Sequence, residues 1–242
     1  MNSIDIRHLS TSYGKFKALH EISFAVPENS CFGLIGLNGA GKTTLIKTLL
    51  GLRKATEGEA TILGHTIGSH DVKEKIAYLP EKFEPPAFLS GIEFIRFTQK
   101  LYGRTSTDEE ILAMATELQL QHEALPRRVT SYSKGMRQKL GLMATLLANC
   151  PLVILDEPMS GLDPQARILV KDAILNYQRR GNTVMICSHI LADLEEMCPA
   201  IAVLHQGRLV FNGSPQALIA DTGQANLERA FLSRIGAVQV AA

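Results

Sequence analysis

Residues 36–44, GLNGAGKTT, constrain the chain more than any other stretch. They fit G-x-x-x-x-G-K-[ST], a loop whose backbone amides wrap phosphate oxygens while the next helix presents its positive end. Gly36, Gly39 and Gly41 let amides turn inward where a side chain would block the ligand, and Leu37, Asn38 and Ala40 complete the loop backbone. Lys42 reaches the β- and γ-phosphates, Thr43 offers a hydroxyl to Mg²⁺, and Thr44 adds a hydrogen bond. The flanks supply the context this loop needs. CFGLIG (31–36) is a short apolar strand. TTLIKTLLG (43–51) spaces Leu45, Ile46, Leu49 and Leu50 as a helix, with Gly51 as its stop. Strand, glycine loop and helix open an α/β fold built on a mostly parallel sheet.

Two further apolar runs end in residues that suit phosphate chemistry. LVILDEP (152–158) carries Asp156 to the end of a buried strand and sets Glu157 beside it. A carboxylate at the first position holds a metal through water, and one at the second polarises an attacking water. Two adjacent acids with different tasks suit hydrolysis better than binding alone. TVMICS (183–188) is followed by His189, at a strand mouth where ligands of open α/β sheets collect, so a γ-phosphate contact is expected. Runs this apolar belong to parallel strands covered on both faces.

A second anion-binding helix start appears at SYSKGMRQK (131–139). A glycine, a serine and three basic residues stand ahead of Leu140, Ala144 and Leu147, which follow a helical pattern. One phosphate loop does not call for a second such site.

Elsewhere the pattern sets out the organisation. IDIRHL and EISFAV, within residues 4–35, are β-rich. From residue 85 the chain turns helical: PPAF is a loop, and Ser90 with Glu93, then Thr107 with Glu110, have capping-box spacing. The expected division is a core of 1–82 and 146–215 with an N-terminal antiparallel β subdomain, an α-helical subdomain inserted at 83–145, and a helical tail at 216–242, clearest in LERAFLSRI. Asp163 can cap a helix with Pro164 at its first position and Gly181 at its end. IAVL and RLVF around His205, Gln206 and Gly207 form a hairpin pattern. FEPPAFLSGIEFIRF (83–97) is unusually apolar. Ile92 and Ile95 suit a core; Phe83, Pro85, Pro86, Ala87 and Phe88 suit either a core or a contact site.

Composition narrows the classes. A formal net charge of +1 over 242 residues gives no basic field, so no nucleic-acid partner is expected. The longest uncharged run, 140–155, is broken by Asn149 and Pro151 and is shorter than the ~20 residues of a membrane span. MNSIDIRHLS has no apolar core or cleavage pattern, so no secretory signal is expected. Cys31, Cys150, Cys187 and Cys198 form no CxxC pair; buried, reduced thiols suit a cytosolic compartment. Any membrane role then needs a partner that supplies the spans.

The parts occur in the order phosphate loop, YSKGM (132–136), LVILDEP, SGLD (160–163), SH (188–189). This order resembles the ATP-binding cassette (ABC) proteins, and the likeness covers residues 1 to about 215. YSKGM resembles the signature usually written LSGGQ. It keeps Ser133 and the second glycine, Gly135, with Tyr132, Lys134 and Met136 in place of leucine, glycine and glutamine.

The resemblance implies a phosphate-loop NTPase core that uses ATP and Mg²⁺. Two chains, here a homodimer, pack head to tail, and the signature of one (Ser133, Lys134, Gly135, Met136) closes on ATP held by the other. That answers the need for a second anion site. Tyr13 matches the aromatic that stacks on adenine, ahead of loop residues 36–44. Thr43 and Asp156 match metal positions; Lys42, Glu157 and His189 match catalytic ones. Asp163 matches the aspartate that crosses the dimer interface. Glu81, in IAYLPEKF, stands where the family has a glutamine near Mg²⁺ and the attacking water. A carboxylate there can bind metal but adds negative charge beside the γ-phosphate.

The function implied is the energy-coupling ATPase of a transporter whose permease is a separate membrane chain, placing this one on the cytoplasmic face. The YLPE and YSKGM variants and the short tail resemble ATPases of exporter-type permeases, including those for drugs and polysaccharides. The alternative is a soluble cassette ATPase acting on ribosomes or DNA, a group that usually carries two fused cassettes or a long coiled-coil insertion. A GTPase or small-molecule kinase fits less well: no NKxD motif occurs, and YSKGM would be left without a task.

Overall fold

The computed structural model describes residues 1–236; the last six residues of the expected 216–242 tail lie outside them. In chain order the elements are β1 (Asn2–Tyr13), β2 (Phe16–Pro27), β3 (Cys31–Ile35), α1 (Lys42–Leu49), β4 (Glu57–Ile62), β5 (His65–Thr66), α2 (His70–Lys73) and β6 (Ile76–Leu79). Then come α3 (Gly91–Leu101), α4 (Asp108–Glu117), α5 (Lys134–Leu147), β7 (Leu152–Asp156), α6 (Pro164–Arg179), β8 (Thr183–Cys187) and α7 (Leu191–Met197). The last are β9 (Ala200–His205), β10 (Arg208–Gly213), α8 (Pro215–Thr222) and α9 (Leu227–Arg234).

One sheet runs β10-β9-β3-β8-β7-β6 and the other β2-β1-β4-β5. In the first, every pair except β9–β10 is parallel; the second is antiparallel throughout. The uninterrupted apolar runs of β3, β7 and β8 have a direct cause: all five residues of each are buried. Alternation divides them between two cores. Val153, Leu155, Val184 and Ile186 pack with the α3–α7 side, while Leu152, Ile154, Met185 and Cys187 pack with α1 and the antiparallel sheet. This is the phosphate-loop NTPase α/β fold, with an antiparallel β sheet on one side and several helices on the other.

Local signals produce the helices between β6 and β7. Ser90 and Glu93 form a reciprocal capping box on α3, and Thr107 and Glu110 form another on α4. The first turn of α5 lies at the surface, whereas Gln138 and Leu140–Leu146 are buried beneath β6. The apolar 83–97 stretch is divided. Phe83 meets Phe94 edge to face at 5.4 Å, and Pro85 and Ile95 are buried, while Ala87 and Phe88 are exposed. Asp163 caps α6, its Oδ1 accepting from the Ala166 amide at 2.8 Å. All four cysteines are buried and free, the Cys31 and Cys198 sulfurs 3.5 Å apart. The tail returns to the core: Leu227, Ala230 and Phe231 of α9 are buried, and α9 packs on α7.

Candidate functional site

A cleft of about 750 Å³ lies at the carboxyl end of β3, β7 and β8. Its floor is the loop from β3 to α1. Gly36 passes so close to β9 that a Cβ there would stand 2.7 Å from the Leu204 carbonyl oxygen. Gly41 has φ +109°, and a Cβ would meet Leu19 at 2.8 Å, so only glycine suits either place. Gly41 also stands at the N-cap of α1 without a side-chain cap. The first amides of α1 are therefore left for an anion in the cleft. Lys42 Nζ donates to the Gly36 carbonyl at 2.5 Å, curled back over the loop.

The opposite wall holds the acids. Asp156 and Glu157 are 4% and 7% exposed, a burial that only function or full pairing explains. Glu157 has φ +53°, a strained conformation for this residue of the kind held at functional sites. Its amide donates to the Cys187 carbonyl at 2.8 Å, and Gln138 Nε2 donates to the Pro158 carbonyl at 3.1 Å, holding the turn after β7. His189 Nδ1 donates to Glu157 Oε2 at 2.7 Å. The other ring nitrogen is left for a group in the cleft, which His189 lines.

At the far end the tip of the β1–β2 hairpin brings Tyr13 and Phe16 to the rim, opposed across the turn and 42% and 70% exposed. His20, Gln206 and Gly207 line the same end. The His20 amide donates to the Gly207 carbonyl at 2.8 Å, and the Gly207 amide to the Ala40 carbonyl at 2.9 Å, so the hairpin, the β9–β10 turn and the phosphate loop are tied together.

Residues Tyr13, Gly36–Gly39, Gly41–Thr44, Glu81, Asp156, Glu157 and His189 therefore come together around one cleft, with Ala40 buried beneath its loop. Residues 133–136 and Asp163 do not line it. Ser133 caps α5, accepting from the Met136 amide at 3.2 Å, and is exposed. Lys134 lines a separate cleft of about 510 Å³, which Glu81 also borders, and its side chain lies over Gly161. Sequence reasoning missed Phe16, His20, Ser188, Gln206 and Phe231 at the main cleft. Phe16 had a local signal, since SYGKF sets it across a two-residue turn from Tyr13. Ser188 had one too, as the neighbour of His189 in the chain, whereas His20, Gln206 and Phe231 arrive by tertiary contact.

Burial, then the charges of Glu157 and Glu81, push the Asp156 carboxyl up to about 6. Burial and the Asp156 charge also push the neighbouring Tyr78 hydroxyl up. An unfolded chain holds an aspartate near 3.9. The contribution of Asp156 to stability is thus fully present below about pH 4 and is lost as pH rises through about 6. With solvent screening allowed for, Asp156→Asn is expected to raise the melting temperature of the nucleotide-free protein at pH 7.5 by on the order of 5 °C. The gap narrows at pH 5. Melting curves at the two pH values check this; a gap that is absent or independent of pH contradicts it.

A family profile described as "ABC transporter" matches residues 19–160. An uncharacterized ABC transporter ATP-binding protein of Synechocystis sp. is 42% identical over 203 residues, covering 83% of this chain and 57% of that one. The chain thus spans a little over half of that relative's length. Nod factor export ATP-binding protein I of Rhizobium meliloti is 32% identical over 90% of this chain and 66% of its own. A solved structure described as the ATP binding subunit of an ABC transporter superposes with a TM-score of 0.88 at 29% identity, over 96% of this chain and 98% of the other.

Proposed function

The chain belongs to the ABC transporter family, and from that premise we propose that it is an ATPase that closes as a head-to-tail dimer to drive a separate membrane permease in export. One observation carries the reading. α1, without a side-chain cap, opens into the main cleft, whereas Ser133–Met136 at the head of α5, the second anion-binding start expected from the sequence, lie outside that cleft. A second copy, turned to face the first, would bring its α5 to the open side of this cleft.

In this reading Tyr13 meets the adenine, residues 36–44 wrap the phosphates, and Lys42 leaves its loop carbonyl for a β/γ oxygen. Glu157, held by its backbone and by His189, orients the attacking water and takes its proton. His189 turns its free nitrogen to the γ-phosphate. The partner's α5 completes the pocket with its own serine hydroxyl and glycine amide, and Asp163 crosses near the partner's phosphate loop. The residues present fit Mg²⁺. A buried carboxylate at Asp156 and the Thr43 hydroxyl give hard oxygen donors, Glu81 borders them, and such an ion takes its remaining ligands from water and phosphate. When bound, it neutralises charge on the β and γ oxygens.

Closure needs about 5.5 kcal/mol of differential binding to pass from mostly open to mostly closed. Several charge-assisted hydrogen bonds to the γ-phosphate, each about 1.5–3 kcal/mol, suffice. Hydrolysis removes those contacts and reopens the pair. Among the described residues no helix is long and apolar enough to cross a membrane; in this reading the permease supplies the spans. The exposed Phe88, Phe97 and Leu101 offer that partner an apolar face on the α3 side. The name of the Rhizobium relative supports export as the direction.

Dilution tests the dimer. The MgATP turnover per chain is expected to fall as the protein is diluted through the monomer–dimer range, and a turnover per chain that stays constant under dilution would sink the shared-site reading.

A further inference from the structure

The base end of the cleft holds a contact that the nucleotide reading does not use. Arg53, in the loop after α1, lays its guanidinium carbon 3.4 Å from the centroid of the Tyr13 ring. Its Nη2 donates to the Ser12 carbonyl at 2.7 Å, so the group is tied to the backbone just before the ring it covers. The Arg53 amide donates to the Lys47 carbonyl at 3.2 Å, which anchors the loop to α1. Among the described residues Arg53 makes no ion pair, and its buried Nε has no hydrogen-bond partner. The ring is the cation's principal partner.

The side of the ring matters. Tyr13 lines the cleft, whereas Arg53, whose guanidinium covers one face of the ring, is not among the residues that line it. The Tyr13 hydroxyl lies 3.5 Å from Thr44 Oγ1, which sets the ring's edge toward the phosphate loop. One face is covered by the guanidinium and one edge is placed, while the residue stays 42% exposed at the cleft. Without the backing, a half-exposed tyrosine at a hairpin tip would sample several rotamers, and a ligand stacking on it would have to order it first.

We propose that Arg53 is a positioning residue for base recognition: from behind, it holds the Tyr13 ring as a preformed platform on which the purine of the nucleotide stacks. This rests on the reading that Tyr13 meets the base. The class of ligand follows from the geometry, a flat aromatic base joined to a phosphate chain long enough to reach Lys42.

The test is a double-mutant cycle on the full chain, with R53A, R53K, Y13A and R53A/Y13A. MgATP binding is read by calorimetry, KM and kcat by phosphate release, and inorganic tripolyphosphate serves as a ligand without a base. Expected for R53A is a rise of about fivefold in Kd and KM with kcat unchanged, the size of one lost cation–π contact at a partly exposed site. R53K recovers part of the loss, tripolyphosphate binding is unchanged, and R53A adds nothing once Tyr13 is gone. Because the chain has no tryptophan, a Y13W background adds a spectroscopic reading: ATP-dependent quenching at that position weakens when Arg53 is also removed.

Three results overturn the proposal while leaving the base platform intact: a shift below about twofold in R53A beside a clear loss in Y13A, effects that multiply fully in the double variant, or tripolyphosphate weakened as much as ATP. If Y13A binds MgATP as well as the parent does, the platform reading itself fails and the proposal fails with it.

Discussion

Glu157→Gln stops MgATP turnover while leaving ATP bound: a loss on the order of a thousandfold is expected, the size of removing a positioned general base. The geometry makes this substitution informative. Glutamine is isosteric, can still accept from His189 Nδ1 through its amide oxygen, and faces the same backbone strain at φ +53° that glutamate already bears. What disappears is the charge that, in the proposed mechanism, takes a proton from water. The γ-phosphate then stays intact, the contacts that favour closure persist, and the protein accumulates as a dimer with MgATP. Light scattering with and without nucleotide, beside phosphate release, reads both effects. Undiminished turnover would show that Glu157 does not activate the water.

The second large effect lies outside the main cleft. Gly135→Asp is expected to fold and to bind ATP as the parent does, yet to lose on the order of a hundredfold or more in turnover, the scale of a lost transition-state donor with a like charge added. Folding is spared because Gly135 has room: a Cβ there meets only the Leu162 side chain, at an ordinary 3.5 Å. Binding is spared because residue 135 does not line the cleft of its own chain. Turnover is expected to be lost because, in the proposed dimer, a carboxylate is set against the γ-phosphate when two chains close. Mixing decides between action within one chain and action across two. Lys42→Ala chains and Gly135→Asp chains are each inactive alone, but a mixed dimer holds one composite site with an intact phosphate loop and an intact α5 start. Recovered hydrolysis on mixing is the expected result; two inactive variants that stay inactive together, despite mixed dimers seen by cross-linking, would refute the shared pocket.

What could be read in advance follows a physical line. Capping boxes at Ser90 and Thr107, the Asp163–Pro164 start of α6 and the Gln206-Gly207 turn were legible because each acts within three or four residues. The phosphate loop was legible for the same reason. The apolar runs of β3, β7 and β8 announced burial on both faces but not their order in the sheet, since any such strand can neighbour any other. The division of 83–97 into half-buried Phe83 and exposed Phe88 was equally out of reach, because both are phenylalanines in the same apolar stretch.

The sequence by itself determined the chemistry available: a lysine behind a glycine loop, two acids ending a buried strand, a histidine ending another, and a second helix start with serine and glycine. Tertiary structure alone decided how these meet. It set β3 between β8 and β9, joined His189 to Glu157 across thirty-two positions of chain, raised the Asp156 carboxyl by burial beside two other acids, laid Arg53 over Tyr13, and left Ser133 outside the cleft of its own chain. Short-range patterns specify residues and local backbone, whereas distances between remote side chains and the dielectric around them are properties of the whole packed fold.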